Sequence, residues 1–235
     1  MSGGSTAPGS GGSNEQDPSC VATHAMTRER IARYYAAALA THGPTPRGVD
    51  WNSAESQELR FTQLLDVVGE ADASVLDFGC GYGALAARLR RDGHRGAYTG
   101  YDAAPEMIAA AEADRVSQGL VACRFTPDLE GLGPSDYALA SGLFNVRLDA
   151  SPSLWEAYVR DTVDAIARLG TRGFAFNMLT RYADAHRMRA DLYYADPGTW
   201  LTWCLDRFGR HVALRHDYPL YEFTILVRSS PVTRG

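Results

Sequence analysis

The sequence predicts an α/β domain built on a mostly parallel sheet, and three observations carry that prediction. Short apolar runs alternate with amphipathic helical stripes through most of the chain. One such run, Val75-Leu76-Asp77-Phe78, passes directly into Gly79-Cys80-Gly81-Tyr82-Gly83 and then into the helical pattern Ala84-Leu85-Ala86-Ala87-Arg88-Leu89. Near the C-terminus, the strand-like runs Val212–His216 and Glu222–Arg228 are separated only by Asp217-Tyr218-Pro219-Leu220-Tyr221. That connector is too short for a parallel crossover, so this last pair is antiparallel.

Residues 1–24 form a Gly/Ser-rich segment, most biased up to about Asp17, that cannot bury enough surface to offset its ordering entropy; it reads as a disordered tail. No basic segment followed by an apolar core marks it as a secretion signal. Residues 25–72 read as an N-terminal helical segment. Its first helix, Arg28–Ala40, carries Ile31, Tyr34, Tyr35 and Ala38 and stops at Thr41-His42-Gly43-Pro44. Its second, Ser53–Val68, carries Leu59, Phe61, Leu64, Leu65 and Val68, with Asn52 or Ser53 as its cap.

Residues 73–229 read as the core. After the glycine turn, Ala97–Tyr101 makes a second strand ending at Asp102, and Ala104-Pro105-Glu106 opens a helix with proline in its first turn. Val121–Phe125 makes a third strand and Asp136–Asn145 a fourth, apolar and ending in small residues as a buried strand opening on a ligand should. A helix over Ser153–Leu169, a strand over Gly173–Met178, a long polar stretch from Thr180 to Asp196 and a helix over Pro197–Phe208 lead to the closing pair.

A strand, a glycine-rich turn and a helix in immediate succession bring backbone N–H groups and the positive end of a helix to one spot, suited to a carboxylate or phosphate. Asp102 follows about twenty residues later, where an acid at the end of the next strand accepts hydrogen bonds from ribose hydroxyls. Together they point to an adenosine-containing cofactor. Gly79, Gly81 and Gly83 read Gly-x-Gly-x-Gly with Asp77 two residues before the first, and this resembles motif I of the class I S-adenosylmethionine (SAM) methyltransferases. Tyr101-Asp102 resembles the acidic end of that family's second strand.

The resemblance implies a Rossmann-like, doubly wound, mostly parallel seven-stranded sheet with one antiparallel strand near the C-terminus. It implies SAM as cofactor and S-adenosyl-L-homocysteine as product. The backbone of Gly79, Cys80, Gly81 and Gly83 would face the methionine part, Asp77 its amino group, Asp102 the ribose and Asp128 the adenine amino group, with Ala103 and Ser141 completing the cofactor set. It also implies a helical lid over the cofactor, making Trp51 and Tyr35 candidates for closing the pocket over a substrate.

On the acceptor side, Asn145 and Arg147 follow the fourth strand, on the edge where ligands bind in open α/β sheets. Arg181 and Tyr194 lie in the Thr180–Asp196 stretch, whose arginines suit an anionic substrate group. His216 and Tyr218, between the last strands, are candidates to deprotonate or orient an acceptor, so the catalytic set is His216, Asn145 and Tyr218. The expected reaction is methyl transfer to a small-molecule oxygen, hydroxyl or carboxylate, with nitrogen as the alternative acceptor; a SAM-binding protein without turnover is the reading from another class. A nicotinamide-dependent reductase is disfavoured by the turn spacing and by a chain without lysine, which lacks a Tyr-x-x-x-Lys pair.

A net charge of -5 disfavours nucleic acid as partner. So does the absence of an Asp/Asn-Pro-Pro-Tyr/Phe motif or a Pro-Cys nucleophile. No apolar stretch reaches the roughly 18 residues of a membrane span. Cys20, Cys80, Cys123 and Cys204 stand apart without metal-ligand spacing, so no metal is expected, and reduced cysteines suit the cytoplasm. Oligomeric state is not legible.

Overall fold

The structure, a computed structural model, describes residues 18–230, with side chains from Thr23 onward; residues 1–17 of the predicted tail lie outside it. The tail prediction ran to residue 24, and there it is corrected: helix α1 spans Pro18–His42. Proline suits the first turn of a helix, and the segment gains contacts invisible in sequence, with His24 edge-on to the Tyr158 ring and 3.5 Å from the Asp161 carboxylate.

A 3-10 turn over Pro46–Val49 leads to α2 (Ala54–Leu65), where Ser53 and Ser56 exchange side-chain and backbone hydrogen bonds as a reciprocal N-cap. Alternation then follows the predicted order: β1 (Val75–Phe78), α3 (Ala84–Arg91), β2 (Tyr98–Tyr101), α4 (Pro105–Gln118), β3 (Cys123–Thr126), β4 (Ser135–Ala140), α5 (Pro152–Leu169), β5 (Gly170–Thr180), β6 (Tyr194–Ala195), α6 (Pro197–Phe208), β7 (Val212–Arg215) and β8 (Glu222–Arg228). The main path of the sheet runs β3-β2-β1-β4-β5-β8-β7. Seven strands lie on it, as expected, and β6 adds two residues parallel to β5. Only β8 runs against its neighbours, pairing antiparallel with both β5 and β7. The order reverses between β1 and β4, a topological switch point whose carboxyl edge is where open α/β sheets bind ligands.

All of β1 is buried because its two faces serve two apolar layers. Leu76 and Phe78 pack with Trp155, Val163, Ile166, Phe176 and Trp200 on the side of α5 and α6. Val75 packs with Phe61, Leu64, Leu85, Leu89 and Ile108 on the side of α2, α3 and α4. Helix α2 is therefore a core layer, so the segment expected to be a lid divides: α1 and the 3-10 turn lie over the sheet edge, while α2 lies beneath.

One buried polar cluster joins these parts. Arg60 of α2 and Glu222 of β8, both nearly inaccessible, form an ion pair in which Arg60 Nε donates at 2.8 Å to the carboxylate. Asn177 Nδ2 of β5 donates to Glu222 Oε2 at 2.7 Å, and Asn177 Oδ1 accepts the Gly142 N–H, also at 2.7 Å. Truncating one partner strands the other charge in the core. Glu222→Ala is expected to lower unfolding free energy by about 3–5 kcal/mol in urea titrations, with Glu222→Gln milder because its amide oxygen still accepts from Arg60.

Candidate active site

The glycine turn is built by three positive φ values, 88° at Gly79, 54° at Gly81 and 85° at Gly83, which a side chain would strain. A Cβ at Gly79 would stand 2.9 Å from a Leu143 methyl, so absence of a side chain also lets the loop after β4 close against the turn. The expectation that these N–H groups face a ligand is corrected. Gly79 and Cys80 both donate to the Tyr101 carbonyl, at 2.8 and 2.9 Å, and Gly81 donates to Asp102 Oδ2 at 2.9 Å. The turn is stapled to the end of β2 through these three N–H groups.

Beside it lies a cavity bounded by α1, the Val49–Trp51 segment, α2, the carboxyl ends of β1 and β2, and the loop after β4; about 840 Å³ lies between its walls, part of it open to solvent. Asp77, Gly79, Cys80, Gly81, Asp102, Ala103, Ser141, Trp51 and Tyr35, all singled out by the sequence, line it. Asp77 is 2% exposed; Tyr98 donates a 2.6 Å hydrogen bond to its Oδ2, while Oδ1 is buried with no partner. Burial raises its pKa to about 7, against the pull of the Tyr98 hydroxyl. The Ser141 hydroxyl is likewise buried and unpartnered. Burial also raises the Asp102 pKa, held back by the backbone N–H groups of Ala104 and Gly81. Each Asp102 oxygen accepts one of these bonds, leaving lone pairs for a further donor.

Trp51 closes one wall. Its indole lies so near Gly142 that a Cβ there would come within 2.8 Å, and the Arg60 guanidinium sits 4.6 Å from its ring centroid. Tyr35 closes another, its phenol pKa raised by burial and by the Asp50 carboxylate. Several wall residues escaped sequence reading. Arg28, Gln57, Tyr82, Met107 and Tyr158 line the same cavity. Tyr158 lies on an amphipathic helix of the predicted core, Gln57 lies within the second predicted helix, and Arg28 opens the first. The Tyr82 hydroxyl donates to Gln57 Oε1 at 2.8 Å, leaving the Gln57 amide NH2 as the group with open donors.

The remaining candidates lie elsewhere. Gly83 caps α3 and packs against Phe125 and Ala111. Asp128 is exposed and accepts the Glu130 and Gly131 N–H groups at 3.1 Å, a turn of its own making. Asn145 Oδ1 accepts the Leu179 N–H, and Arg147 donates to the carbonyls of Leu192, Ala150 and Ala190. Arg181 pairs with Asp196, and Tyr194 accepts the Arg189 N–H. Tyr218 bonds Thr224 in a buried position, and His216 is exposed beside Tyr182 and Phe223. None of these eight lines the cavity. Among the described residues no group of His, Cys, Asp and Glu is arranged to hold a metal ion, and no helix is long and apolar enough to cross a membrane.

Comparison with known proteins is consistent with this geometry. A family model described as a methyltransferase domain matches residues 75–168. A Mycobacterium tuberculosis protein named as a methyltransferase is 46% identical over 168 residues, covering 70% of this chain and 98% of the relative. Among solved structures, magnesium protoporphyrin IX methyltransferase from Synechocystis with bound S-adenosylhomocysteine superposes with a TM-score of 0.58 at 16% identity, covering 88% of this chain and all of that one. An O-methyltransferase family protein from Burkholderia thailandensis superposes with a TM-score of 0.56 at 14% identity, covering 86% of this chain and 60% of that one. With the glycine turn, the switch-point cavity and this relative taken together, the chain belongs to the class I SAM-dependent methyltransferase family.

Proposed function

We propose that the chain transfers a methyl group from SAM to an oxygen of a small-molecule acceptor by direct in-line displacement. The observation that carries the cofactor half is the buried Asp77 Oδ1 without a partner in the cavity wall, with the Ser141 hydroxyl also unsatisfied there. Buried acceptors left empty are rare and mark a ligand donor, and the SAM ammonium is one. In this reading Asp77 and Ser141 hold the ammonium, the Gln57 amide faces the carboxylate, and Asp102 takes the ribose hydroxyls. Bare glycine Cα atoms at 79 and 81 admit the chain that links them. When bound, SAM supplies an already electrophilic methyl on its sulfonium. The protein's part is to align the acceptor, exclude water with Trp51 and Tyr35, and hold the acceptor's charge.

For the acceptor, the cavity wall favours an oxygen that arrives ionised. No histidine lines it among the described residues, and Asp77 and Asp102 are engaged with cofactor. Arg28, by contrast, reaches the wall with no hydrogen bond or ion pair among the described residues, next to Tyr101 and Tyr158. Burial raises the pKa of both phenols, Tyr158 to about 12, and the nearby guanidinium draws them back. An unpaired cation on an aromatic wall suits a carboxylate acceptor, which needs no general base. His216 and Tyr218, outside the cavity, then have no part in proton removal.

Two measurements test this reading. Small carboxylic acids, alcohols and amines incubated with SAM are expected to release S-adenosylhomocysteine with the acids only, and Arg28→Gln is expected to raise acceptor KM about tenfold with kcat less affected. Turnover with amines but not acids would reassign the acceptor to nitrogen. The second concerns Asp77, whose folded-state pKa of about 7 lies above the ordinary aspartate value of 3.8. Its contribution to stability is fully present below the lower value and lost as pH rises through the higher one. Stability of the ligand-free protein should therefore fall between about pH 4 and 7, and SAM affinity should rise from about pH 6 to 7.5 as the carboxylate ionises. Asp77→Asn should flatten both profiles and weaken SAM binding about tenfold or more by calorimetry.

A further inference from the structure

The Thr180–Asp196 stretch does not line the cavity, yet one of its side chains ties down the cavity's roof. Arg189 Nη1 donates to both Asp50 oxygens, at 2.9 and 3.2 Å, and Nη2 donates to the Tyr34 hydroxyl at 3.1 Å. That hydroxyl in turn donates to Asp50 Oδ2 at 2.9 Å, closing a ring of three groups. Each roof partner stands next to residues that line the cavity. Tyr34 precedes Tyr35, and Asp50 stands between Val49 and Trp51. Asp50 adopts a left-handed backbone with φ of 59°, a conformation that its bonds to Arg189 and Tyr34 help to hold.

The base from which Arg189 reaches is fixed. Asp191 aims the guanidinium, accepting from Nε at 3.1 Å and Nη2 at 2.6 Å, and Tyr194 accepts the Arg189 N–H. The Arg147 and Leu148 N–H groups both donate to the Asp191 carbonyl at 3.0 Å. The Arg147 guanidinium grips carbonyls on both sides of the join, and Val146 and Leu192 form an antiparallel bridge. The Tyr193 N–H donates to the Asn145 carbonyl. Residues that resembled an acceptor site in sequence thus weld 189–194 to the loop after β4.

We infer that Arg189 is a positioning residue for the methyl-transfer site: a latch between a post anchored on the sheet and the roof of α1 and Val49–Trp51, which must lift for cofactor and product to exchange. A second tie, Arg30 to Asp149, joins the same roof to the loop after β4, but through a single contact to a more exposed carboxylate. The latch is half-exposed as well, with 45% of the Arg189 side chain accessible, so it can break without unfolding the core.

The inference rests on SAM as cofactor, and stopped-flow release of S-adenosylhomocysteine from the full chain tests it. Arg189→Gln and Asp50→Asn are each expected to speed release about three- to tenfold, the pair together giving little more than either alone. Arg189→Lys should fall between, since an ammonium can pair with Asp50 but cannot span Tyr34 and Asp191 at once. The melting temperature of the ligand-free protein should move by less than about 2 °C. Arg207→Gln, which breaks an ion pair of similar length with Asp164 remote from the roof, should leave release unchanged. Should Arg189→Gln fail to fold, wild-type release should still accelerate as ionic strength rises from about 0.02 to 0.5 M. Unchanged release in both latch variants, equal acceleration by Arg207→Gln, or strictly additive effects would overturn the latch. A wild-type chain that binds no SAM would instead overturn the cofactor reading beneath it.

Discussion

Everything in the site depends on one constraint: the chain leaving β1 must turn sharply while its polar groups remain paired. Three positive φ values make the turn possible, and the end of β2 satisfies it, through the Tyr101 carbonyl and the Asp102 carboxylate. Asp102 thereby has two duties. It holds the turn in shape and remains available at the cavity wall. A carboxylate with several lone-pair sites can do both, whereas an amide would present donors to the Gly81 N–H if turned the wrong way.

Around this turn the floor and the roof of the cavity are held in different ways. The Arg60–Glu222–Asn177 cluster is inaccessible and connects α2, β5, β8 and the loop after β4, so the floor and one side of the cavity are fixed to the core. Its value lies in setting where Trp51 and Gly142 stand, because a buried ion pair adds little net stability once its desolvation is counted. The roof is different. Helix α1 and the 3-10 turn are held partly by buried contacts, Ile31 in the core and His24 against Tyr158, and partly through ion pairs that water still reaches. Exchange of a ligand as large as SAM through a cavity of this kind calls for that division of labour.

The electrostatics of the cavity follow the same economy. The Asp77 pKa is pushed up to about 7 mainly by burial, against the Tyr98 hydrogen bond and with help from the Asp102 charge, and the carboxyl has one oxygen paired and one empty. Such a carboxylate is costly in the ligand-free protein and becomes favourable when an ammonium arrives. Arg28, which also lines the cavity, stands beside two phenols with no ion pair among the described residues.

The sequence by itself determined the layer architecture and the glycine turn beside the cavity. Periodicity, capping residues and the short last connector are local properties, so they located nearly every helix and strand and the antiparallel closing strand. Glycines at 79, 81 and 83, Asp77 and Asp102 were legible because a turn with positive φ and a strand-end acid leave a fixed spacing. Tertiary structure alone decided the rest. Asn145, Arg147, Tyr194 and His216 have the residue types of an acceptor site, yet they are spent on loop joins and surface contacts, since an arginine bonded to three carbonyls reads in sequence like one awaiting a ligand. Gln57, Arg28 and Tyr158 face the cavity only because of how α1, α2 and α5 are rotated against the sheet, and that rotation is set by packing between residues far apart in the chain.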